Sequence, residues 1–182
     1  MKNKTLVVSL VLLLYFSFGC QGNKARTELE EFNAQKALEK ANKALVTRYF
    51  GAVEKGDLDA VKEIFSPDFV LHHTTGQDWS LEKTIENISK QNVQSKAMFP
   101  DLTFVNEDII VNGEKAVLMF AFKGTHKGDV EGIRATGNPV EGRSITIFRF
   151  ENGKIAEGWQ ESNVLRLYQQ LGFDLKPKEA KK

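Results

Sequence analysis

Apolar residues recur at every third or fourth position from about Phe32 to Gly56, which is the spacing of an amphipathic helix. The residues on its predicted buried face are Leu38, Ala41, Leu45, Tyr49 and Val53. Asp57 is the predicted N-cap of a second, shorter helix, because its carboxylate can accept from the free amides of a first turn. Ser66-Pro67-Asp68 should end that helix, since proline disfavours helical geometry in the residue before it.

The stretch "FVLHHTT", Phe69 to Thr75, has the composition of a short strand, and Gly76 opens the loop after it. Ser80 is the predicted N-cap of a third helix that runs to about Met98. After Pro100 the apolar period changes to two, which is typical of strands. The predicted strands are 102–111, 116–124, 143–150 and 154–162, and a closing helix follows at 164–171.

Two Asn-Gly pairs punctuate this second half, and Asn112-Gly113 and Asn152-Gly153 each predict a tight hairpin. The register of the second hairpin stays open. With a simple two-residue turn Thr146 faces Trp159, whereas with a glycine bulge it faces Gln160. Helices first and antiparallel strands afterwards indicate an α+β fold, with helices packed on one face of a curved sheet.

The N-terminus differs in composition from the rest of the chain. A basic start at residues 1–4 precedes the apolar run "TLVVSLVLLLYFSFG" and then Cys20, the only cysteine. We expect a secretory signal here, too short to span a bilayer comfortably. Ser17-Phe18-Gly19-Cys20 resembles the lipobox of bacterial lipoproteins, which implies lipid on Cys20 and an anchor in a membrane facing the periplasm or cell surface. The alternatives are an uncleaved anchor and a plain signal peptide with an incidental cysteine.

These boundaries predict a lipoprotein signal peptide at 1–19, a lipidated cysteine and tether at 20–32, one domain at 33–174 and a charged tail at 175–182. A lone cysteine permits no intrachain disulfide, so the domain must fold on its hydrophobic core. With 25 basic and 24 acidic residues the chain has no basic field for nucleic acid, which is therefore not an expected partner. The sequence contains no HExxH, HxxxH or CxxC pattern, so we expect neither a metal nor a cofactor.

Histidine is the first residue type to consider for proton transfer near neutral pH, and the chain has three. His72 and His73 are neighbours on a predicted strand, so at most one of them points into a given cavity. One outward histidine and one satisfied by a backbone carbonyl is an equally good interpretation. His126, in "FKGTHKG", stands beside the long loop, where it could serve a site or pin the loop through a hydrogen bond.

The motifs of the second half are "GTHKG", "FRFENGKI", Glu-x-Trp and the closing "QQLG". The first half agrees with them in layout through "YFGAVEKGDLDAVKEIFSPDF" and "MFPDL". Together, the stretch from about Ala44 to Gly172 resembles the SnoaL-like polyketide cyclase family, also called the ester cyclase family. This resemblance implies a nuclear transport factor 2-like cone, in which a curved antiparallel sheet and the helices packed over it enclose one apolar pocket.

Cyclases of this family close a ring by an intramolecular aldol step without metal or cofactor, and an acidic residue in the last strand takes the proton. The resemblance places Gln160 at that acidic position and Thr146 at the position of an assisting histidine. A glutamine amide cannot take a proton near neutral pH. Gln160 is therefore the expected donor to an oxyanion, with His126 or His72 as the base. The expected substrate contacts are His73, Trp79, Thr146, Trp159 and Asn163.

Three functions are compatible with this pattern. An enzyme of altered acid–base chemistry (cyclase, isomerase or related) on a small apolar carbonyl compound needs a histidine within reach of Gln160 in a closed pocket. A non-catalytic periplasmic lipoprotein that binds a small apolar molecule needs a pocket lined by aromatic residues, with the histidines turned away. A homodimeric interaction module needs a contiguous exposed apolar patch on the open face of the sheet.

Overall fold

The computed structural model describes residues 2–73, 76–129, 132–174 and 176, with side chains from Lys24 onward. The chain divides into two compact units, Met1–Lys40 and Ala41–Lys182. The side chain of Cys20 lies outside the described residues, as does the predicted tail apart from Lys176. Lipidation and the charged tail therefore stay predictions.

Four helices and six strands occur within the described ranges. The helices are α1 (Lys2–Lys55), α2 (Leu58–Ile64), α3 (Leu81–Met98) and α4 (Val164–Gln170). The strands are β1 (Phe65–His72), β2 (Asp78–Ser80), β3 (Thr103–Asn112), β4 (Lys115–Thr125), β5 (Pro139–Glu151) and β6 (Lys154–Ser162).

Helix α1 starts well before Phe32, where apolar periodicity predicted its beginning. Exposed ion pairs one turn apart, Lys24–Glu28 and Arg26–Glu30, support the helix where that periodicity is absent. The described residues include no helix that is both long and apolar enough to cross a membrane.

The predicted helix caps at Asp57 and Ser80 are confirmed. The Asp57 carboxylate accepts from Ala60 N–H at 3.0 Å, and Ser80 Oγ accepts from Lys83 N–H at 3.3 Å. Asn163 caps α4 in the same way, because its Oδ1 accepts from the Arg166 N–H at 3.0 Å. Polar side chains at these positions satisfy first-turn amides that have no partner within the helix.

The strands form one curved, unclosed sheet in the order β2-β1-β6-β5-β4-β3. This confirms the predicted α+β class. Every neighbouring pair is antiparallel except β1 and β6, which run parallel. The expectation of an antiparallel sheet is thus wrong for this one pair, because the chain passes through β2, α3 and the β3–β5 meander between the two strands.

Several strand boundaries differ from the predicted ones. Strand β1 begins at Phe65 and includes Pro67, which the sequence assigned to a helix break, and its register against β6 is irregular there. The short strand β2 was not predicted. The first hairpin turns at Gly113 and Glu114, one residue later than expected, and Gly113 adopts a positive φ of 57°. Strand β5 begins at Pro139 rather than near Arg143.

The second hairpin adopts the register in which Thr146 pairs with Gln160. The turn itself is nevertheless a simple two-residue one, with Asn152 and Gly153 at φ values of 51° and 72°, as in a type I′ turn. The register shift falls further along β6, where Ala156 is the extra residue. A bulge inside the strand, not at the glycine, therefore brings Thr146 and Gln160 to the same face of the sheet.

The helices cover one face of the sheet, which we call the inner face, and the opposite face is called the outer face. Buried side chains from both layers form one core: Val46, Ala52, Val61, Ile64, Phe65, Phe69, Ile85, Ile109, Ala116, Leu118, Phe148, Phe150 and Ile155. On the outer face, four apolar side chains form one row across neighbouring strands: Ile110, Val117, Ile147 and Trp159.

Candidate functional site

A cavity of about 230 Å³ lies between the inner face of the sheet and helices α1 and α3. Aromatic rings make up much of its wall: Phe50, Phe99, Phe104, Phe120 and Phe122. Leu118 and Leu167 add aliphatic surface. An apolar wall of this kind removes the nonpolar surface of a ligand from water, which supplies most of the binding free energy for a small molecule.

Tyr49 lines this cavity from α1. Its ring packs edge-on against Phe148, with ring centres 5.2 Å apart, and at 5.4 Å from the ring of Phe65. Burial raises the pKa of Tyr49 to about 12. The phenol therefore stays protonated near neutral pH and can donate a hydrogen bond. The sequence had placed Tyr49 on the buried face of α1, but periodicity does not distinguish a core side chain from one that lines a cavity.

Strands β5 and β6 contribute the polar side chains of the inner face. Thr146 and Gln160 lie opposite each other and both line the cavity. In the next pair on the inner face, the hydroxyls of Ser144 and Ser162 are hydrogen-bonded to each other. Thr146 is almost fully buried, whereas Gln160 is exposed. A hydroxyl and an amide therefore stand side by side on an otherwise apolar wall.

The helical rim of the cavity is also polar. Gln91, Asn92 and Ser95 of α3 line it, and the Asn92 amide donates to the Val53 carbonyl oxygen at 3.2 Å. Glu54 of α1 is the only carboxylate among the described lining residues. No group of three or more His, Cys, Asp or Glu side chains in the described ranges is placed to hold a metal ion.

His126 is completely buried, but it is not among the described residues that line the cavity. Its Nδ1 accepts from the Thr136 N–H at 3.3 Å and lies 3.1 Å from the Thr136 hydroxyl. Because Nδ1 is an acceptor, the ring proton must lie on Nε2, which has no hydrogen-bond partner among the described residues. The imidazole is thus arranged as a donor and not as a base.

Backbone bonds fasten the same segment. The His126 N–H donates to the Asn138 carbonyl oxygen, and the Gly137 N–H donates to the His126 carbonyl oxygen, both at 2.9 Å. Asp101 accepts from Nζ of Lys127 and from the N–H of Thr125, and these bonds, the Lys127 bond most of all, hold the pKa of its carboxyl well below its usual range. The geometry favours the interpretation that His126 pins the loop.

His72 lies on the outer face. Its Nδ1 is 3.0 Å from Asp78 Oδ1 and its Nε2 is 3.5 Å from Glu157 Oε2, while its ring stacks on Trp159. Arg149 donates to Glu157 at 2.7 Å and, with a smaller contribution from His72, holds the pKa of that carboxyl below its ordinary value. Alternation along β6 turns Trp159 to the opposite side of the sheet from Gln160, so His72 faces away from the cavity.

The remaining predicted contacts also lie elsewhere. His73 stacks on Trp79 at 3.9 Å between ring centres, near the edge strand β2. Asn163 caps α4, and neither it nor the two tryptophans belong to the described lining of the cavity. Of the predicted site residues, the structure therefore brings only Gln160 and Thr146 together in the cavity.

Comparisons with known proteins agree with this architecture. AclR from Streptomyces galilaeus, a candidate hydroxylase, shares 26% identity, with a TM-score of 0.63 over 77% of this chain and 91% of its own. IdmH from Streptomyces antibioticus, a candidate polyketide cyclase, shares 26% identity, with a TM-score of 0.62 over 72% of this chain and 98% of its own. TsrD from Streptomyces laurentii shares 27% identity, with a TM-score of 0.59 over 73% and 96%.

No curated protein matches the chain significantly in sequence. The family model that matches describes the SnoaL-like polyketide cyclase, and it covers residues 43–171. That range contains α2 to α4, the whole sheet and every residue of the inner cavity. The chain therefore belongs to the SnoaL-like polyketide cyclase family.

Proposed function

We propose that this protein binds a small, largely apolar carbonyl compound in the inner cavity, where Gln160 and Thr146 hold the carbonyl oxygen. The observation that carries the proposal is the composition of the cavity wall, in which neutral donors stand on an aromatic surface. Such a wall favours a neutral ligand with one polar end over an anionic one, because an anion would lose its hydration without gaining a cationic partner among the described lining residues.

The position of Gln160 supports a change in chemistry within the family. By resemblance, this residue stands where the cyclases carry an acid–base aspartate, and an amide can donate to an oxygen but cannot take a proton. The three histidines lie outside the described lining of the cavity, so they offer little support for a histidine-based reaction. Ligand binding is therefore the better-supported part of the proposal.

The cavity is also small. At about 230 Å³ it lies below the range of about 300–1,000 Å³ that is usual for drug-sized ligands. A molecule with one or two rings matches this volume better than an extended polyketide chain does.

The test compares two probes of almost the same shape, 2-indanone and indane, which differ only in the carbonyl group. Isothermal titration calorimetry should show that the protein prefers 2-indanone by about tenfold, the value of one or two hydrogen bonds. Gln160→Ala should remove most of that preference and leave the affinity for indane unchanged. Gln169→Ala, on the exposed side of α4, is the matched control. Equal affinities of the wild-type protein for both probes would sink the proposal.

A homodimer is a second candidate, favoured by the outer face. Val105, Ile110, Ile145 and Ile147 are each at least 40% exposed there, although large exposed apolar patches are uncommon on monomers. A second copy could cover this face with its own. Sedimentation velocity should then show a concentration-dependent dimer that Ile147→Glu dissociates and that Val93→Glu, at a more exposed position on α3, leaves intact. A monomer at every concentration would rule the dimer out.

We also propose that the protein is held at a bacterial membrane through lipid on Cys20. The support is the apolar run before this cysteine and its resemblance to a lipobox. Metabolic labelling with a palmitate analogue should mark the wild-type protein in membranes, and Cys20→Ser should abolish the label. Label retained in that variant would contradict the proposal.

A further inference from the structure

We infer that the inner cavity can enolise its ligand, with Glu54 as the base and Tyr49 as the donor to the enolate oxygen. The inference rests on the proposed binding of a carbonyl compound and assigns two residues of α1 that the sequence did not single out for chemistry. It moves the catalytic carboxylate from the last strand to the first helix of the domain.

Tyr49 is held in place by its neighbours. Phe65 and Phe148 contact its ring on the core side, and its hydroxyl has no hydrogen-bond partner among the described residues although the side chain lines the cavity. A rigid donor without a protein partner is arranged to meet a ligand acceptor, and it needs no reorganisation when charge develops on that acceptor.

The position of Tyr49 relative to β5 brings its donor toward the polar pair. Phe148, which the ring contacts, lies two residues from Thr146 on the same face of β5, and Thr146 is paired with Gln160. The phenol, the hydroxyl and the amide all line one cavity and can therefore meet one ligand.

Glu54 supplies what these donors lack. It lines the same cavity and makes no ion pair or hydrogen bond with a described residue through its carboxylate. It follows Tyr49 by five residues on α1, which corresponds to a rise of about 7.5 Å along the helix axis and a rotation of about 140° around it. Glu54 is exposed, yet both side chains line one cavity, so a ligand whose oxygen accepts from Tyr49 can turn the carbon next to its carbonyl group toward Glu54.

The step is balanced without a further reactant. The Glu54 carboxylate takes a proton from the carbon next to the carbonyl group, the C–H electron pair forms the C=C bond, and the C=O π pair moves to the oxygen. Tyr49 O–H and the Gln160 amide donate to this oxygen. In D₂O the Glu54 carboxylic acid exchanges its proton with the solvent, and transfer of a deuteron from it to carbon restores the ketone with deuterium in place of hydrogen.

The experiment follows the loss of the α-proton signal of 2-indanone by proton NMR in D₂O near neutral pH, with the full-length protein. The wild type should accelerate exchange over buffer. Glu54→Gln should lower the protein-dependent rate by about 100-fold or more, in the range of general base catalysis. Tyr49→Phe should lower it by at least about tenfold, because one donor to the enolate is lost. Glu161→Gln should leave the exchange rate unchanged, because Glu161 is an exposed residue that follows Gln160 on β6 and points to the outer face.

Calorimetry with 2-indanone separates this inference from the proposed function. Both variants should still bind the ketone, with Glu54→Gln within about threefold of wild type, since an amide of the same size replaces the carboxylate. Binding without accelerated exchange would overturn the inference and leave the proposed function standing. Exchange that survives in Glu54→Gln would overturn the assignment of the base. Failure of the wild type to bind 2-indanone would overturn both.

Discussion

Over residues 144–147 of strand β5, the two faces of the sheet differ in the opposite sense from that expected for a sheet with one solvated side. On the inner face, Ser144 and Thr146 are each only 4% exposed. On the outer face, Ile145 and Ile147 are 46% and 40% exposed. Antiparallel sheets usually bury the apolar residues and expose the polar ones. This local reversal supports the proposed ligand site on the inner face and the proposed dimer contact on the outer face.

The free energy of unfolding should depend mainly on the apolar inner-face residues that follow Thr146 along β5. Phe148 is 1% exposed and packs against Tyr49, so Phe148→Ala should lower the free energy of unfolding by about 3–5 kcal/mol. Ile147→Ala, one residue away on the outer face, should cost less than about 1 kcal/mol in the monomer. Urea denaturation at low protein concentration measures both.

The milder Phe148→Leu keeps this comparison measurable if the alanine variant does not fold. Its cost should fall between those of the two alanine variants, because part of the buried volume is kept. Equal costs for Phe148→Ala and Ile147→Ala would show that the outer face contributes as much to the monomer as the inner face does.

Thr146 offers a sharper test of the polar half of the inner face. Thr146→Val keeps the shape of the side chain but removes the hydroxyl, so it should weaken 2-indanone binding by about three- to tenfold, the value of one hydrogen bond. Indane binding should not change. Thr103→Val, an exposed threonine on β3, is the control. A loss of affinity for both probes would indicate altered packing rather than a lost donor.

The sequence predicted the parts of this fold that depend on local chemistry. Asp57 and Ser80 cap their helices because a short polar side chain and the amides of the next turn are neighbours in the chain. The parallel pairing of β1 with β6 was not predictable in this way, since Leu71 pairs with Gly158 far along the chain. Pro67 was assigned to a helix break although it lies in a strand, because its strand β1 pairs with β6, which is far along the chain.

The candidate site was predicted less completely than the fold. Gln160 and Thr146 were identified by resemblance, and the bulge at Ala156 that brings them together could not be read from Asn152-Gly153. Tyr49 and Glu54 were missed because helical periodicity says which residues share a face but not whether that face meets a core or a cavity. The buried bonds of His126 join residues ten positions apart through a loop without a periodic pattern.

Lowering the pH should distinguish the two faces of the sheet by a smaller change in stability than the substitutions above. The bond from Arg149 holds the folded-state pKa of Glu157 below its ordinary value of 4.5. This outer-face pair therefore stabilises the fold fully above that value and loses its contribution as the pH falls below it. The Tyr49 hydroxyl of the inner cavity, with a pKa of about 12, keeps its proton throughout that range.

Thermal melts from pH 7 to pH 3 should thus show a smaller acid-induced loss of stability in Glu157→Gln than in wild type, whereas Tyr49→Phe should lose as much as wild type. An unchanged acid response in Glu157→Gln would assign the loss to other carboxylates, of which Asp101, bonded to Thr125 and Lys127, is the first to replace.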